Sequence, residues 1–346
     1  MKKMNVTVAS SLALLSLVVS LNPITAASGG KDLEGDIAAG IAGSERQLML
    51  DVMKNIPEEE RENVIYIDDN GQVYANKPEL KDVFVKTDPS ADHTVTVNGG
   101  EKFTLLNEST KVRQQAAPSA ITPLAGYACG NAGGPYRRVF SQPGYSWWSG
   151  KVYLPSSTNN EVYVNNTNSN DTPYIYTGGH ASNGASEVDA GFQYSKTYNN
   201  WAHSIFTGGQ YYHNTSFRFK AGQTLTFKYY VPADGQVALY AAGVRYDNNA
   251  ADNYTVVTNA AGWKKSGAGN EIKRITAIAS NDPQPYDTGS YLNNVKWSAS
   301  MIGTSSTSNH QWLAADTGGY CSYPNSTQVS TSFVNAGEET VNIKMN

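Results

Sequence analysis

"HNTSFRFKAGQTLTFKYYVP", residues 213–232, holds two runs in which apolar and polar residues alternate, joined at Ala221–Gly222. Alternation of period two marks a strand with one buried face, and a glycine between two such runs marks a turn. The device recurs from about Tyr127 to the end, in "GKVYLP", "EVYVN", "PYIYTGG", "EVDAGFQYS", "QVALYAAGV", "YTVVTNAAG", "EIKRITAIAS", "VKWSASMI", "STQVSTSFVNA" and "ETVNIKM". Many short strands with Gly and Asn between them predict an all-β domain over 127–346, an antiparallel β-sandwich or jelly roll of the concanavalin-like kind. No repeat of fixed period argues for a solenoid or propeller.

Composition agrees with an extracellular β-protein: 16% of the 346 residues are charged, 22 are Tyr, and the formal net charge is −4. That balance argues against a nucleic-acid partner. The charge is unevenly spread, with 17 acidic and 10 basic residues in 31–113 against 13 and 14 from 117 onward. Lys2 and Lys3, an apolar run over 6–19 and then "NPITAASGG" have the three-part pattern of a secretory signal peptide, read as 1–26. No later window is apolar for long enough to span a membrane. The mature chain is therefore expected to be secreted.

Residues 27–108 read as a small acidic α+β unit and possible propeptide, with a helix at "GSERQLMLDVM" capped by Ser44 and ended by Pro57. Hairpins are predicted at Asn70–Gly71 and in "HTVTVNGGEKFTLL". Residues 109–126, within "NESTKVRQQAAPSAITPLAG", read as a linker that offers Lys111 and Arg113 to a trypsin-like protease. Cys129 and Cys321 are the two cysteines, and an oxidising exterior predicts that they pair. A loop that long would contribute about 5 kcal/mol.

"KVYLPSS", "PYIYTGG", "DAGFQYSKTYNNW", "FKAGQTLTFKYY" and "GNEIKRITAIAS", in this order, resemble the YrpD-like family of secreted proteins from spore-forming Gram-positive bacteria over 150–346. The resemblance implies secretion and a β-rich, lectin-like fold. It implies no activity.

Candidate chemistry centres on "ASEVDAGFQYSKTYNNWA", residues 185–202. Glu187, Asp189 and Gln193 fall on one face of a strand, while Phe192 and Tyr194 fall on the other. A retaining glycosidase needs two carboxylates about 5 to 5.5 Å apart. Here the third position of a Glu-x-Asp-x-(x)-Glu strand is Gly191 or Phe192, so the partner would have to come from elsewhere, such as Glu161 or Glu271. A lyase acting on an acidic polysaccharide needs a group to neutralise the uronate carboxylate and a base for the neighbouring proton. Gln193, His203 or His180, Tyr194 and Arg218 are of those types. A glutamic-peptidase pair would be Gln193 with Glu271, although "NEIKRITAIAS" lacks the aromatic-acid motif of those enzymes.

Binding without catalysis asks for exposed rings that stack on sugar faces. Tyr145, Trp147, Trp148, Tyr194, Trp201, Tyr211 and Tyr212 are the candidates for a platform that binds a polysaccharide or cell-wall glycan. "RYDNNAADNY" offers Asp247, Asn249 and Asp252 as possible calcium ligands, and no other cofactor is implied. Glycan binding is the expected function, with polysaccharide cleavage as the enzymatic alternative and a structural or adhesive matrix role as the third.

Overall fold

The computed structural model describes residues 33–97, 100–106, 130–165, 171–282 and 284–346. The expected signal segment, the linker and Cys129 lie outside them. One α-helix, α1 (Gly43–Met53), precedes strands β1 (Val64–Ile67), β2 (Val73–Ala75), β3 (Phe84–Thr87), β4 (Thr94–Thr96) and β5 (Lys102–Thr104). The strands that follow are β6 (Tyr136–Ser141), β7 (Trp147–Leu154), β8 (Val162–Tyr163), β9 (Thr172–His180), β10 (Glu187–Ser195), β11 (Asn200–Thr207), β12 (Gln210–Lys220) and β13 (Gln223–Tyr230). The last are β14 (Gln236–Val244), β15 (Ala251–Asn259), β16 (Glu271–Ala279), β17 (Tyr291–Gly303), β18 (Asn309–Gln311), β19 (Thr317–Tyr323), β20 (Val329–Asn335) and β21 (Glu338–Lys344).

Two large sheets result. One has 11 strands along the order β2-β1-β15-β14-β13-β7-β17-β21-β20, with β8 and β18 also on β17; the other has eight, β19-β6-β16-β9-β10-β11-β12-β3. Their inner faces meet in one core, in which Trp148 and Phe227 of the first sheet pack with Phe192 and Phe219 of the second. The chain is a β-sandwich, as the alternation predicts. Among the described residues no helix is long and apolar enough to cross a membrane.

The acidic N-terminal region is woven into both sheets. β1 pairs in parallel with β15, and β3 pairs with β12. α1 lies on the outer face of the larger sheet, where Met49, Val52 and Met53 bury Trp147 and Tyr230. The β4–β5 hairpin lies on the outer face of the smaller sheet, where Val95, Val97, Phe103 and Leu105 pack against Tyr136, Tyr174, Tyr176 and Tyr211. Glu60, nearly inaccessible, accepts from Lys228 Nζ at 2.5 Å and Tyr230 Oη at 2.7 Å, tying this region to β13. The helix starts at Gly43 with Ala42 as its N-cap and no side-chain cap, so the capping role expected of Ser44 is not used.

The two sheets are also joined by ions. Arg137 of β6 and Arg274 of β16 each donate to the Glu339 carboxylate of β21 at 2.7 Å, all three being buried. Burying three charges is costly, but removing one partner strands the others. Glu339→Gln is therefore expected to destabilise the fold by about 3–5 kcal/mol, read as a lowered midpoint in denaturant unfolding.

Candidate functional site

β10 sorts its side chains by parity. Val188, Ala190, Phe192 and Tyr194 enter the core, which leaves Glu187, Asp189, Gly191, Gln193 and Ser195 for the outer face under the β4–β5 hairpin. The register sets rows of neighbours across this face: Lys273–Gly178–Asp189–Phe206–Tyr211 and Tyr174–Gln193–Ala202–Arg218.

In the first row, Gly178 has φ +146°, and a Cβ there would sit 1.9 Å from the Val188 carbonyl oxygen. Only glycine fits. The missing side chain lets Lys273 reach across β9, and its ammonium lies 2.8 Å from Asp189 and bonds Glu187 as well. His180 Nε2 is 3.6 Å from the same Glu187 oxygen. The acid pair singled out in the sequence is thus a shared counterion for a buried lysine. The additional carboxylates considered for it are elsewhere: Glu161 accepts from Tyr153 Oη and Asn294 Nδ2, bracing a loop beside the larger sheet. Glu271 stands opposite His180, whereas Gln193 stands opposite Tyr174, six positions along β9 or about 20 Å away. A Gln193–Glu271 pair is not formed.

The second row carries a different cluster. β11 and β12 lose register between Ala202 and Ser204, so that one residue on β11, His203, faces four on β12, from Asn214 to Phe217. Asn214 Oδ1 holds the bulged turn by accepting from the Ser216 and Phe217 amides at 3.1 and 2.7 Å. A bulge re-aims side chains. This one sets Arg218 Nη2 3.3 Å from His213 Nε2, while His213 Nδ1 is 3.5 Å from Tyr211 Oη. Tyr211 in turn donates to Gln193 Oε1. Gln193, Tyr211, His213 and Arg218 form one chain of contacts, and Ala202 stands between the first and the last in the row.

Burial dominates the protonation of this cluster. Desolvation, and then the nearby Arg218 charge, push His213 down to about 3. Desolvation likewise raises the Tyr211 phenol above its usual value and lowers the Arg218 guanidinium. At neutral pH the cluster holds a neutral imidazole, a protonated phenol and one cation.

The hairpin closes the face. Phe103 lies 5.4 Å from the His213 ring, the Thr104 amide donates to Thr172 Oγ1 at 2.9 Å, and Tyr174 Oη donates to the Thr104 carbonyl at 2.9 Å. Ser195 Oγ donates to Glu101 Oε1 at 2.7 Å. Beyond the hairpin, Leu105 and Leu106 roof a small cleft whose other walls include Tyr176, Asp189, Ser204 and Phe206.

The expected sugar platform is not exposed. Trp148, Tyr194, Trp201 and Tyr212 belong to the inter-sheet core, Trp147 lies beneath α1, and Tyr145 is half-buried with its hydroxyl donating to Asp316 at 2.6 Å. Strand parity separates Trp147 from Trp148, but both resulting faces are covered. Of the seven rings only Tyr211 reaches the candidate site. The exposed rings near it are Tyr198 and Tyr246, 6.5 Å apart with Arg218 5.2 Å from Tyr198, and Phe206 beside the cleft.

The expected calcium loop is organised around its own cations. Arg245 lies 2.6 Å from Asp247 and 3.3 Å from Asp252, and Asn249 accepts from Lys220 at 2.8 Å. Hydrogen bonding to Arg245 holds the Asp247 carboxyl below its usual range. Among the described residues no three His, Cys, Asp or Glu side chains gather as a metal site.

No family model and no curated protein matches this chain. Solved structures that resemble it include scytalido-glutamic peptidase with a transition state analog inhibitor, at 8% identity and TM-score 0.42, covering 60% of this chain and 97% of that one. SCP-B, a member of the Eqolisin family of peptidases in complex with a tripeptide, matches at 8% identity and TM-score 0.39 over the same shares.

His213 supplies a test of this arrangement. Its folded-state pKa lies below the unfolded value of about 6.5, so the unfolded chain takes up the proton first. Its contribution is fully present above about pH 6.5 and is lost as the pH falls toward 3, with a limiting slope of about 1.4 kcal/mol per pH unit. His203, also buried and shifted down, adds a second such slope. His213→Gln is expected to remove one of the two in denaturant unfolding between pH 7 and 4.

Proposed function

We propose that this is a secreted protein that binds an extracellular or cell-wall glycan along the outer face of the eight-stranded sheet. Residues 33–106 act as a pro-segment that covers this face until it is released. The observation that carries the reading is the β4–β5 hairpin, which buries Tyr174, Tyr176 and Tyr211 beside Gln193 and Arg218. Rings flanked by amide and guanidinium donors suit a polymer whose units have apolar faces and polar rims. A Cys129–Cys321 bridge would hold the chain that follows the linker against β19. Cleavage at Lys111 or Arg113 would then free only what lies upstream.

One observation favours a second reading, cleavage of the bound polysaccharide by elimination. Gln193, Tyr211, His213 and Arg218 are linked in one chain of contacts. In such a reaction Arg218 and Gln193 would neutralise a uronate carboxylate, which acidifies the carbon beside it. His213, held neutral, would take the proton from that carbon as the double bond forms and the glycosidic oxygen leaves, and Tyr211, which keeps its proton, would give it to that oxygen.

A glycan panel presented to the intact chain and to the chain cut at Lys111–Arg113 is the test. Binding is expected to rise at least 10-fold on cutting. Product absorbing as an unsaturated sugar, lost in Gln193→Ala, would establish cleavage; retention on the glycan without product would establish binding alone. No retention in either form would overturn both readings.

A further inference from the structure

We propose that the outer-face site takes a carboxylate-bearing sugar, a uronic acid unit of an acidic polysaccharide, in the place that the Glu101 carboxylate now holds. This rests on the reading of that face as a glycan site and names its ligand class.

Glu101 stands at the hairpin turn, where its carbonyl accepts from the Val97 amide at 3.0 Å, and it directs its side chain toward the sheet. Its side chain is 8% exposed. One oxygen accepts from Ser195 Oγ at 2.7 Å, while the other, buried and without a hydrogen bond, lies 3.8 Å from Arg218 Nη1. The carboxylate is therefore drawn to the guanidinium but not seated on it, since a charge-assisted bond is about 2.7–2.9 Å long. The receptor side is under-used as well. Gln193 Nε2 and Asn200 Nδ2 are buried with no hydrogen-bond partner among the described residues, and Arg218 spends one nitrogen on Asn200 Oδ1 at 3.3 Å and another on His213. Arg218, its neighbour Asn200, and Gln193 in the same sheet row as Arg218 thus keep donors that the Glu101 carboxylate does not satisfy. Buried donors left unpaired in a native structure call for an explanation, and a bound ligand is one.

The chemistry of the surroundings selects a sugar acid over an acidic peptide. The hairpin is itself an acidic peptide, and among the described residues its backbone bonds the sheet through Thr104 alone, to Thr172 and Tyr174. The rim beside Arg218 instead presents the exposed rings of Tyr198 and Tyr246, surfaces for the apolar face of a neighbouring sugar.

The experiment compares Glu101→Gln with the unaltered chain, each intact and cut at Lys111–Arg113, for binding of polygalacturonate, a neutral galactan and polyglutamate. Glu101→Gln keeps the shape and the Ser195 contact, and thermal melting checks that it folds. In the intact chain, removing the internal carboxylate is expected to strengthen polygalacturonate binding at least 5-fold and leave the galactan unchanged. Adding Arg218→Gln is expected to lose at least 10-fold, and Arg218→Lys, which keeps charge but not the planar fork, replaces it where the first does not fold. Unchanged polygalacturonate binding in intact Glu101→Gln overturns the proposal, as does equal binding of polyglutamate. Galactan binding without polygalacturonate binding overturns the carboxylate assignment alone, whereas binding of neither glycan overturns the glycan reading too.

Discussion

Val95, Phe103 and Leu105 remove water from the outer face of the eight-stranded sheet, and the electrostatics of that face follow from the removal. A charge in a dry environment is poorly solvated, so neutral forms gain. His213 accordingly holds no proton and Tyr211 keeps its own, while Arg218 stays as the cation about which Glu101, Asn200 and the Tyr198 ring arrange themselves. The same dryness that stabilises the apolar contacts leaves Gln193 and Asn200 with donors unmet. Covering the face and holding its histidine and tyrosine neutral are thus one physical act.

What keeps a short hairpin there is its attachment on both sides of the sandwich. β1 and β2 extend the larger sheet past β15, and β3 extends the smaller sheet past β12, so the hairpin leaves an edge strand already fixed in place. Such tethering raises its effective concentration at the face far above what its own contacts would give. The arrangement also covers β15 and β12, edges that would otherwise present unpaired backbone groups. Dislodging the hairpin alone and removing the whole N-terminal region are consequently different events: the first exposes the outer face, while the second also strips Ile65, Ile67 and Phe84 from the core.

Local pattern made much of this legible. Alternation located the strands, the Asn70–Gly71 and Asn98 turns located the hairpins β1–β2 and β4–β5, and parity already placed Gln193 opposite in sense to Tyr194. What it could not reach were pairings set by shape at long range. Nothing near Val64 announces a parallel partner at Thr255, and nothing in the acidic composition announces that α1 will bury Trp147. The histidine of the site was mistaken for the same reason. His203 and His180 are near Gln193 in sequence, but His203 points into the core against Phe192 and Tyr254, and the bulge after His213 is what brings that residue to Arg218. The one local trace of it was the Asn-Thr-Ser run after His213, whose Asn214 side chain holds the turn.

Charge along β10 gives the face a direction. At the Asp189 end, Lys273 is bonded by two carboxylates across a glycine, so its charge is answered from within the sheet. Four residues further, about 13 Å along the strand, Arg218 is met among the described residues by one carboxylate, 3.8 Å away, that belongs to the hairpin. One end is electrostatically closed and adjoins the apolar cleft of Leu105, Leu106 and Phe206; the other is open and adjoins the rings of Tyr198 and Tyr246. A polymer lying on this face would meet its strongest unmet attraction at Gln193 and Arg218. The acid pair that first draws the eye in the sequence serves to hold Lys273, and the donors left unmet lie four positions beyond it, at Gln193.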